Sequence, residues 1–599
     1  MNFIRYFCRM SEVTGKAFDL RLLKRVLSYA RPYRKVFIFT GFVTVVLAFL
    51  APLRIIMIQK GLDEYVKLRD ASGLQSLMIY TVLVILLHTL FQFFQSYYTS
   101  WLGQHVILDI RKELFAKVLS FKTKYFDNTP VGALVTRVTS DIQSVSDIFS
   151  DGVLLIASDI IQLIVALAFM FWMDPGLALV TLIPIPLLLW ATNVFKNTIK
   201  VAFQEVRGEV ARINTFIQEH VTGMAVIQMF NREEVEMKKF KEVNHAHMSG
   251  WIKTIWANSI FFPLVEVLSA CSLSLIIWYG VKEVVDNDNI NVPIEAFILY
   301  TYMIYRPIRQ LADRFNTLQM GMVASERVFK IMDSDENLAD EGTVAQMDCQ
   351  GNIEFKDVYF SYEAENPVLK GISFTAKQGQ SIALVGATGA GKTSIINVLS
   401  RFYEIESGSV LLDEVNIKDI QLEVLRKNVA VVLQDVFLFD DSIYGNITLG
   451  NPAITRQQVQ EAALLIGVDE FIQRLPGAYD YRVRERGAML SVGQRQLLAF
   501  LRAYVYDPKI LVLDEATSSI DTESEMLIQK AIEKLTEGRT SIIIAHRLST
   551  IQRCDKIIVL DKGKIVESGS HHELLSQAGY YKRLHEYQFA DGQPSSIEK

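Results

Sequence analysis

Long apolar runs fill the chain as far as residue 315 and then stop. They lie at 36–58, 76–102, 152–173, 176–195, 253–281 and 293–315. A hydrocarbon core of about 30 Å needs roughly 20 helical residues, so each run is expected to cross a membrane. Only Asp174-Pro175-Gly176 separates the third run from the fourth, which predicts a tight turn and a helical hairpin. The last run is the least apolar, because Arg306, Arg309 and Arg314 enter its second half. They are read as a helix emerging into the cytoplasm.

The polar stretches between the runs carry a different signal. Residues 103–150 and 196–252 are too long for loops without structure, and both show helical periodicity, as in Ile110, Leu114, Val118 and Leu119. They predict helices that continue well past the bilayer and reverse near Asn128-Thr129-Pro130 and Thr222-Gly223. Those reversals would meet a soluble domain. Beyond 325 the pattern changes again. A polar linker spans 326–350, and short apolar strands then alternate with helices: Ile382–Val385, Val429–Val432, Ile510–Leu513 and Ser541–Ile544. Near-continuous apolar strands of this kind belong in a parallel sheet covered on both faces. The expected organisation is an N-terminal segment (1–35), a six-helix transmembrane domain (36–325), the linker, an α/β P-loop domain (351–590) and a tail (591–599).

Composition supports that division. Hydrophobic residues reach 50% while charged residues still make up 21%, which suits a membrane part joined to a soluble part. The net charge of −5 comes without a basic stripe, so no nucleic-acid partner is expected. The four cysteines, Cys8, Cys271, Cys349 and Cys554, lack metal-ligand spacing and suggest a reduced setting; Cys271 reads as a small core residue. Basic residues crowd the N-terminal stretch (Arg21, Lys24, Arg25, Arg31, Arg34, Lys35), whereas the link between the fifth and sixth runs is acidic (Glu283, Asp286, Asp288). Both termini are therefore placed in the cytoplasm. No cleaved signal peptide is expected before Arg34, and either Met1 or Met10 serves as the start.

The chemistry is concentrated in the second half. Gly386-Ala387-Thr388-Gly389-Ala390-Gly391-Lys392-Thr393 follows one apolar strand and leads into a helix beginning at Ser394. Glycines at this spacing let backbone N–H groups wrap phosphates at a helix N-terminus, with Lys392 on the β- and γ-phosphates and the Thr393 hydroxyl on Mg²⁺. The strand Ile510–Leu513 ends in Asp514-Glu515. Asp514 would hold Mg²⁺ through water, and Glu515 would polarise an attacking water as general base. The expected cofactors are ATP and Mg²⁺.

With these motifs in order, the chain resembles the ATP-binding cassette family, of the exporter type with six spans per half. The resemblance places Tyr362 on the adenine, Gln434 at the Q-loop that senses Mg²⁺ and the membrane domain, and His546 as the switch histidine. It also aligns Ser518–Asp521 with the D-loop and Glu485-Arg486-Gly487 with the segment before the signature. Leu490-Ser491-Val492-Gly493-Gln494 occupies the signature position, where Ser491, Gly493 and Gln494 would act on nucleotide bound by a second subunit. Here Val492 replaces the family's glycine, adding a branched side chain and removing freedom at positive φ. Tyr125-Phe126-Asp127 with Gly132, Arg137 and Asp141 resembles the first intracellular loop, and Gly223, Ile227, Gln228, Phe230, Asn231 and Glu233 resemble the second.

The resemblance implies a half-transporter that exports amphipathic drugs or lipids and pairs with a second half, identical or different, in a bacterial inner membrane. A peptide-processing branch would need an N-terminal peptidase, which the stretch before the first run cannot hold. A purely regulatory ATPase fits poorly with Lys392, Asp514, Glu515 and His546 all present. Within the spans, Arg54, His88, Asp159 and Glu266 are the costly charges. Glu266 reads either as facing a cavity or as a residue near a helix end or paired to hold helices together, and Arg54, near Pro52, as kinked or snorkelling. Phe91, Phe93, Phe94, Tyr97 and Tyr98 either line a pocket or pack.

Overall fold

A computed structural model describes residues 19–67, 69–287, 292–338, 340–363, 366–514, 522–545, 548–577 and 579–589. The chain divides into two compact units, one of Met1–Ser120 with Pro130–Asp335 and the other of Phe121–Thr129 with Glu336–Lys599.

The first unit is helical. Helix α1 (Leu20–Ser28) is capped by Asp19, whose carboxylate accepts from the N–H groups of Arg21 and Leu22. Arg25, in its last turn, makes two hydrogen bonds to Asp333 at 2.6 and 2.7 Å and lies 4.1 Å over the Phe329 ring. Helix α2 (Arg34–Lys60) carries Pro52 in its interior. Helix α3 (Ala71–Leu119) holds the second apolar run and the amphipathic stretch after it as one rod of 49 residues. At 1.5 Å per residue it is about 70 Å long, twice the hydrocarbon thickness, so its C-terminal half extends into water. The short helix α4 (Thr123–Asn128) belongs with the second unit. Helix α5 (Val131–Met173) follows, wound as π-helix at Arg137–Asp141 and Ile148–Val153.

The turn at Asp174 is as expected: its side chain caps α6 (Pro175–Leu182) through the Leu177 N–H. The fourth run then breaks at Ile183-Pro184 before α7 (Ile185–Thr222), since proline denies the helix a donor. Gly223 ends α7 and opens α8 (Met224–Met229). Helix α9 (Glu233–Asn287) spans 55 residues, and α10 (Ile294–Met332) runs on past Arg327 into the stretch read as linker. Of the described helical stretches, 5 are long and apolar enough to cross a membrane. Helix α10 is not among them, as its arginines foreshadow.

The polar groups of this unit join helices to one another. Gln59 accepts from the Ala296 N–H at the start of α10, and Gln95 donates to Thr44 and Ser158 at 3.0 and 3.3 Å. Asp159, buried in α5, pairs with Arg314 of α10 at 3.0 Å. This carboxylate therefore holds two helices together. Removing one partner of a buried pair strands the other charge. Asp159→Ala should destabilise the protein by ~3–5 kcal/mol, and Asp159→Ala with Arg314→Ala by less. Thermal unfolding in detergent checks this, and an unchanged midpoint for Asp159→Ala contradicts it.

Glu266 and Arg54 are exposed in this chain, and Cys271 is exposed on α9 rather than buried in a core. The aromatic group on α3 is divided. Phe94 and Tyr98 pack on Phe39 of α2, with centroids 6.3 and 5.3 Å away, while Phe93 and Tyr97 stay exposed.

The second unit is built on two sheets. Strands β1 (Ile353–Ser361), β2 (Pro367–Ala376), β4 (Ser407–Leu412) and β5 (Val415–Asn416) form one in the order β2-β1-β4-β5, all antiparallel. The other joins β3 (Ser381–Gly386), β6 (Val429–Val432), β7 (Ile510–Asp514), β8 (Thr540–Ile544), β9 (Lys556–Asp561) and β10 (Lys564–Gly569) in the order β10-β9-β3-β8-β7-β6. The four strands expected from the sequence are β3, β8, β7 and β6, side by side and parallel. Every residue of β7 and β8 is buried, which is why both read as unbroken apolar runs. The chain stretch between α3 and α5 joins this unit: Phe121 bridges to Asn337, and the Lys122 N–H bonds the Glu336 carbonyl at 3.0 Å.

Candidate nucleotide-binding site

Parallel pairing brings four loop mouths to one sheet edge. In register, Leu384 of β3 faces Ile544 of β8, and Ile544 faces Asp514 of β7, while Leu513 faces Val432 of β6. The chain therefore leaves this edge after Gly386, Val432, Asp514 and Ile544, the first of these exits being the phosphate loop. Ligands of open α/β sheets bind outside the carboxyl ends of such strands. Glu515, Ser518–Asp521 and His546 lie outside the described residues, so their side chains enter only through the strands that lead to them.

The phosphate loop is shaped by close approach. A Cβ on Gly386 would stand 2.3 Å from the Leu560 carbonyl of β9, and one on Gly391, whose φ is +105°, 2.8 Å from Leu369. Around Gly389, φ +83°, the space is open. Ala387, Thr388 and Gly389 are exposed, whereas Ala390 is buried and its carbonyl accepts from Gly563 at 3.2 Å. Helix α11 (Lys392–Leu399) starts directly from this loop. Lys392 donates from Nζ to the carbonyls of Gly386 and Ala387 at 2.7 and 3.1 Å. Burial pushes this ammonium below its ordinary pKa, and nearby Asp514 opposes the shift. A buried cation satisfied only by carbonyls is poised to exchange them for anionic oxygens.

The donors available to Mg²⁺ are oxygen groups: exposed Thr393 in the first turn of α11, exposed Gln434, and the buried carboxylate of Asp514. Among the described residues no group of three or more His, Cys, Asp or Glu could hold a metal. One carboxylate with a hydroxyl and an amide fits Mg²⁺, which keeps several waters and leans on substrate phosphates rather than on a full protein cage.

Tyr362 is half-buried. Its hydroxyl shares a hydrogen bond with Ser394 Oγ at 3.2 Å and accepts from Asn397 Nδ2 at 2.9 Å. Asn397 was absent from the sequence candidates, though it sits one turn beyond Thr393 on the same helix. The signature segment opens α12 (Val492–Val505). Ser491 accepts from the Gln494 N–H, and the Gln494 side chain returns a bond to the Ser491 N–H, closing a capping box. Val492 is the first residue of that helix, 49% exposed, and is not among the residues with positive φ. The feared loss of glycine's freedom therefore has no backbone consequence. Val492→Gly should leave ATPase activity within about twofold of wild type, because Ser491 and Gln494 make the capping box and the backbone at 492 is unstrained. A steady-state assay showing a larger gain would make the valine a defect.

The sequence also matches known proteins. A family model described as ABC transporter transmembrane region matches residues 37–308, and one described as ABC transporter matches residues 369–518. The uncharacterized ABC transporter ATP-binding protein YknV of Bacillus subtilis is 36% identical over 98% of each chain. The ATP-dependent lipid A-core flippase of Syntrophus aciditrophicus is 32% identical over 95% of each. The probable multidrug resistance ABC transporter ATP-binding/permease protein YheH of Bacillus subtilis is 35% identical over 85% of this chain and 75% of its own.

Proposed function

The chain belongs to the ABC transporter family and couples ATP hydrolysis to transport, and on that premise we propose that it is one half of an exporter for amphipathic cargo, drug-like or lipid. The observation that carries the ATPase side of this reading is the shared strand edge, where the phosphate loop, Asp514 and the exits toward Gln434, Glu515 and His546 converge. In this reading Gly386, Thr388, Gly389, Ala390, Gly391, Thr393 and Ser394 cradle the phosphates, largely by backbone N–H groups, and Tyr362 stacks on the adenine. Lys392 turns from its two carbonyls to the β- and γ-oxygens. Glu515 takes the proton of the attacking water, and His546 orients the γ-phosphate. Thr393, Gln434 and Asp514 would hold Mg²⁺, which when bound would supply positive charge against the phosphates.

A second copy supplies Ser491, Gly493 and Gln494 across the nucleotide. The capping box and the unstrained Val492 support two identical halves, since both signatures would then retain their donors. Closure on ATP and reopening after hydrolysis would rock the membrane helices as rigid bodies. Amphipathic cargo is supported by the relatives' named activities and by a membrane half whose buried Asp159 is already neutralised by Arg314. Reconstituting this chain alone in liposomes tests the reading. ATP-dependent movement of a fluorescent phospholipid or a cationic dye is expected. An inactive protein that a second, different subunit rescues would overturn the homodimer, and an ATPase moving neither probe would overturn the cargo class.

A further inference from the structure

Three aromatic rings close on one another beside the phosphate loop. Phe360, Tyr362 and Tyr403 meet edge to face, with centroids 4.8 Å apart for Phe360–Tyr362, 4.9 Å for Tyr362–Tyr403 and 5.8 Å for Phe360–Tyr403. Their interplanar angles are 81°, 86° and 73°. In such a triangle the edge of one ring rests on the face of the next, so turning one displaces the others.

Polar bonds fix the cluster at both ends. At one end the Tyr362 hydroxyl is tied to Ser394 and Asn397, on one turn of α11. At the other the Tyr403 hydroxyl donates to the carboxylate of Asp127 on α4. Burial, helped by Asp127, holds the Tyr403 phenol above its ordinary pKa, which keeps it a donor. The segment carrying Asp127 is anchored in the same unit by the Phe121–Asn337 bridge and by the Lys122 bond to Glu336. It is also covalently continuous with α3 and α5.

We propose that Tyr403 is a positioning residue through which occupancy of the adenine subsite at Tyr362 reaches the Thr123–Asn128 helix. This rests on the reading of Tyr362 as the adenine's stacking partner. A purine laid flat on Tyr362 would pack parallel to a ring whose neighbour Tyr403 stands at 86° to it. When Tyr362 turns to meet the base, Tyr403 shifts with it, and its bond to Asp127 carries the shift into α4. In the same reading the phosphates meet this cluster at one point, Ser394, whose Oγ bonds the Tyr362 hydroxyl at 3.2 Å. The base would lie on the ring itself, so the larger signal is assigned to it.

Hydrogen exchange on the full chain in lipid nanodiscs separates the two, using Mg-ADP and Mg-pyrophosphate at concentrations that displace mant-ADP. Neither ligand is turned over, so only occupancy differs. Mg-ADP is expected to change exchange across residues 121–129 about threefold, and Mg-pyrophosphate to leave it unchanged. Tyr403→Phe, which keeps the ring and loses the hydroxyl, should abolish the ADP-dependent change while basal ATPase persists and mant-ADP affinity stays within about twofold. Asp127→Ala should behave alike. A merely structural contact would alter exchange in the ligand-free variants and spare the response to ADP. An equal response to pyrophosphate, or a Tyr403→Phe protein that still responds to ADP, overturns the relay. Unchanged mant-ADP binding by Tyr362→Ala would instead remove the adenine reading on which it stands.

Discussion

Glu515→Gln is expected to bind ATP within about twofold of the wild-type protein and to lose turnover by about 10²–10⁴-fold, the range assigned to a positioned general base. The amide has the carboxylate's shape, so the strand leading to it should not notice the change. Only the capacity to take a proton from water is lost. Residue 515 directly follows the buried end of β7, where Asp514 pairs in register with Ile544 and β3 is the next strand beyond β8. A group leaving the sheet there emerges at the same edge as the phosphate loop. Mant-ATP binding with single-turnover hydrolysis checks both halves of the expectation. Residual turnover near the wild-type rate would move the base to another residue.

Lys392→Ala should act on binding and on chemistry together. Its ammonium is buried, donates to the carbonyls of Gly386 and Ala387 and feels the nearby Asp514 carboxylate. Loss of a charge-assisted hydrogen bond of ~1.5–3 kcal/mol should weaken mant-ATP binding by about 10- to 100-fold. Turnover at saturating ATP should fall a further ~10²–10³-fold, because charge accumulates on the γ-phosphate as the bond breaks. Lys392→Arg should not rescue it, since a planar fork cannot replace a compact point charge where two carbonyls converge from one loop. The fold itself should survive: alanine favours helix at the start of α11, and a depressed lysine pKa marks a burial cost that the variant removes. A Lys392→Ala protein with near-normal affinity would show that the loop backbone alone holds the phosphates.

How far the sequence could be read depended on the range of each interaction. The parallel strands β3, β7 and β8 were legible because burial on both faces leaves an unbroken apolar run, and β6 because its four residues are all apolar although Ala430 and Val431 are only half-buried. The antiparallel sheet was not. Its strand β1 buries Ile353 and Phe355, then shifts register before Val358, and Asp357 takes a positive φ of 47°. That irregularity interrupts the alternation by which a half-buried strand is recognised. Helix α3 continues as one rod through the point where its apolar run ends, as the helical periodicity beyond residue 102 predicts, whereas α10 continues to Met332, into the stretch read as linker, since a helix persists wherever its backbone bonds do.

The site shows the same contrast. Gly386, Gly389, Gly391, Lys392 and Thr393 could be assigned from spacing, because a phosphate loop is one contiguous piece of backbone whose geometry its glycines dictate. Asn397 and Tyr403 could not, because neither belongs to a pattern until Tyr362 folds against them. The effect of Val492 also waited on the backbone: only its place as the first residue of α12 shows that glycine's freedom is not needed there.

By itself the sequence determined that this chain has a membrane half and a nucleotide half, and it named the residues of the phosphate loop. Both follow from local physics: the length of apolar helix a bilayer demands and the backbone path a phosphate demands. Tertiary structure decided the pairings across distance. It put Arg314 on Asp159, joined Asp127 to Tyr403 across 276 positions of chain, and set Asp514 in register with Ile544. Such contacts arise from packing between elements, and no periodicity within either partner encodes them.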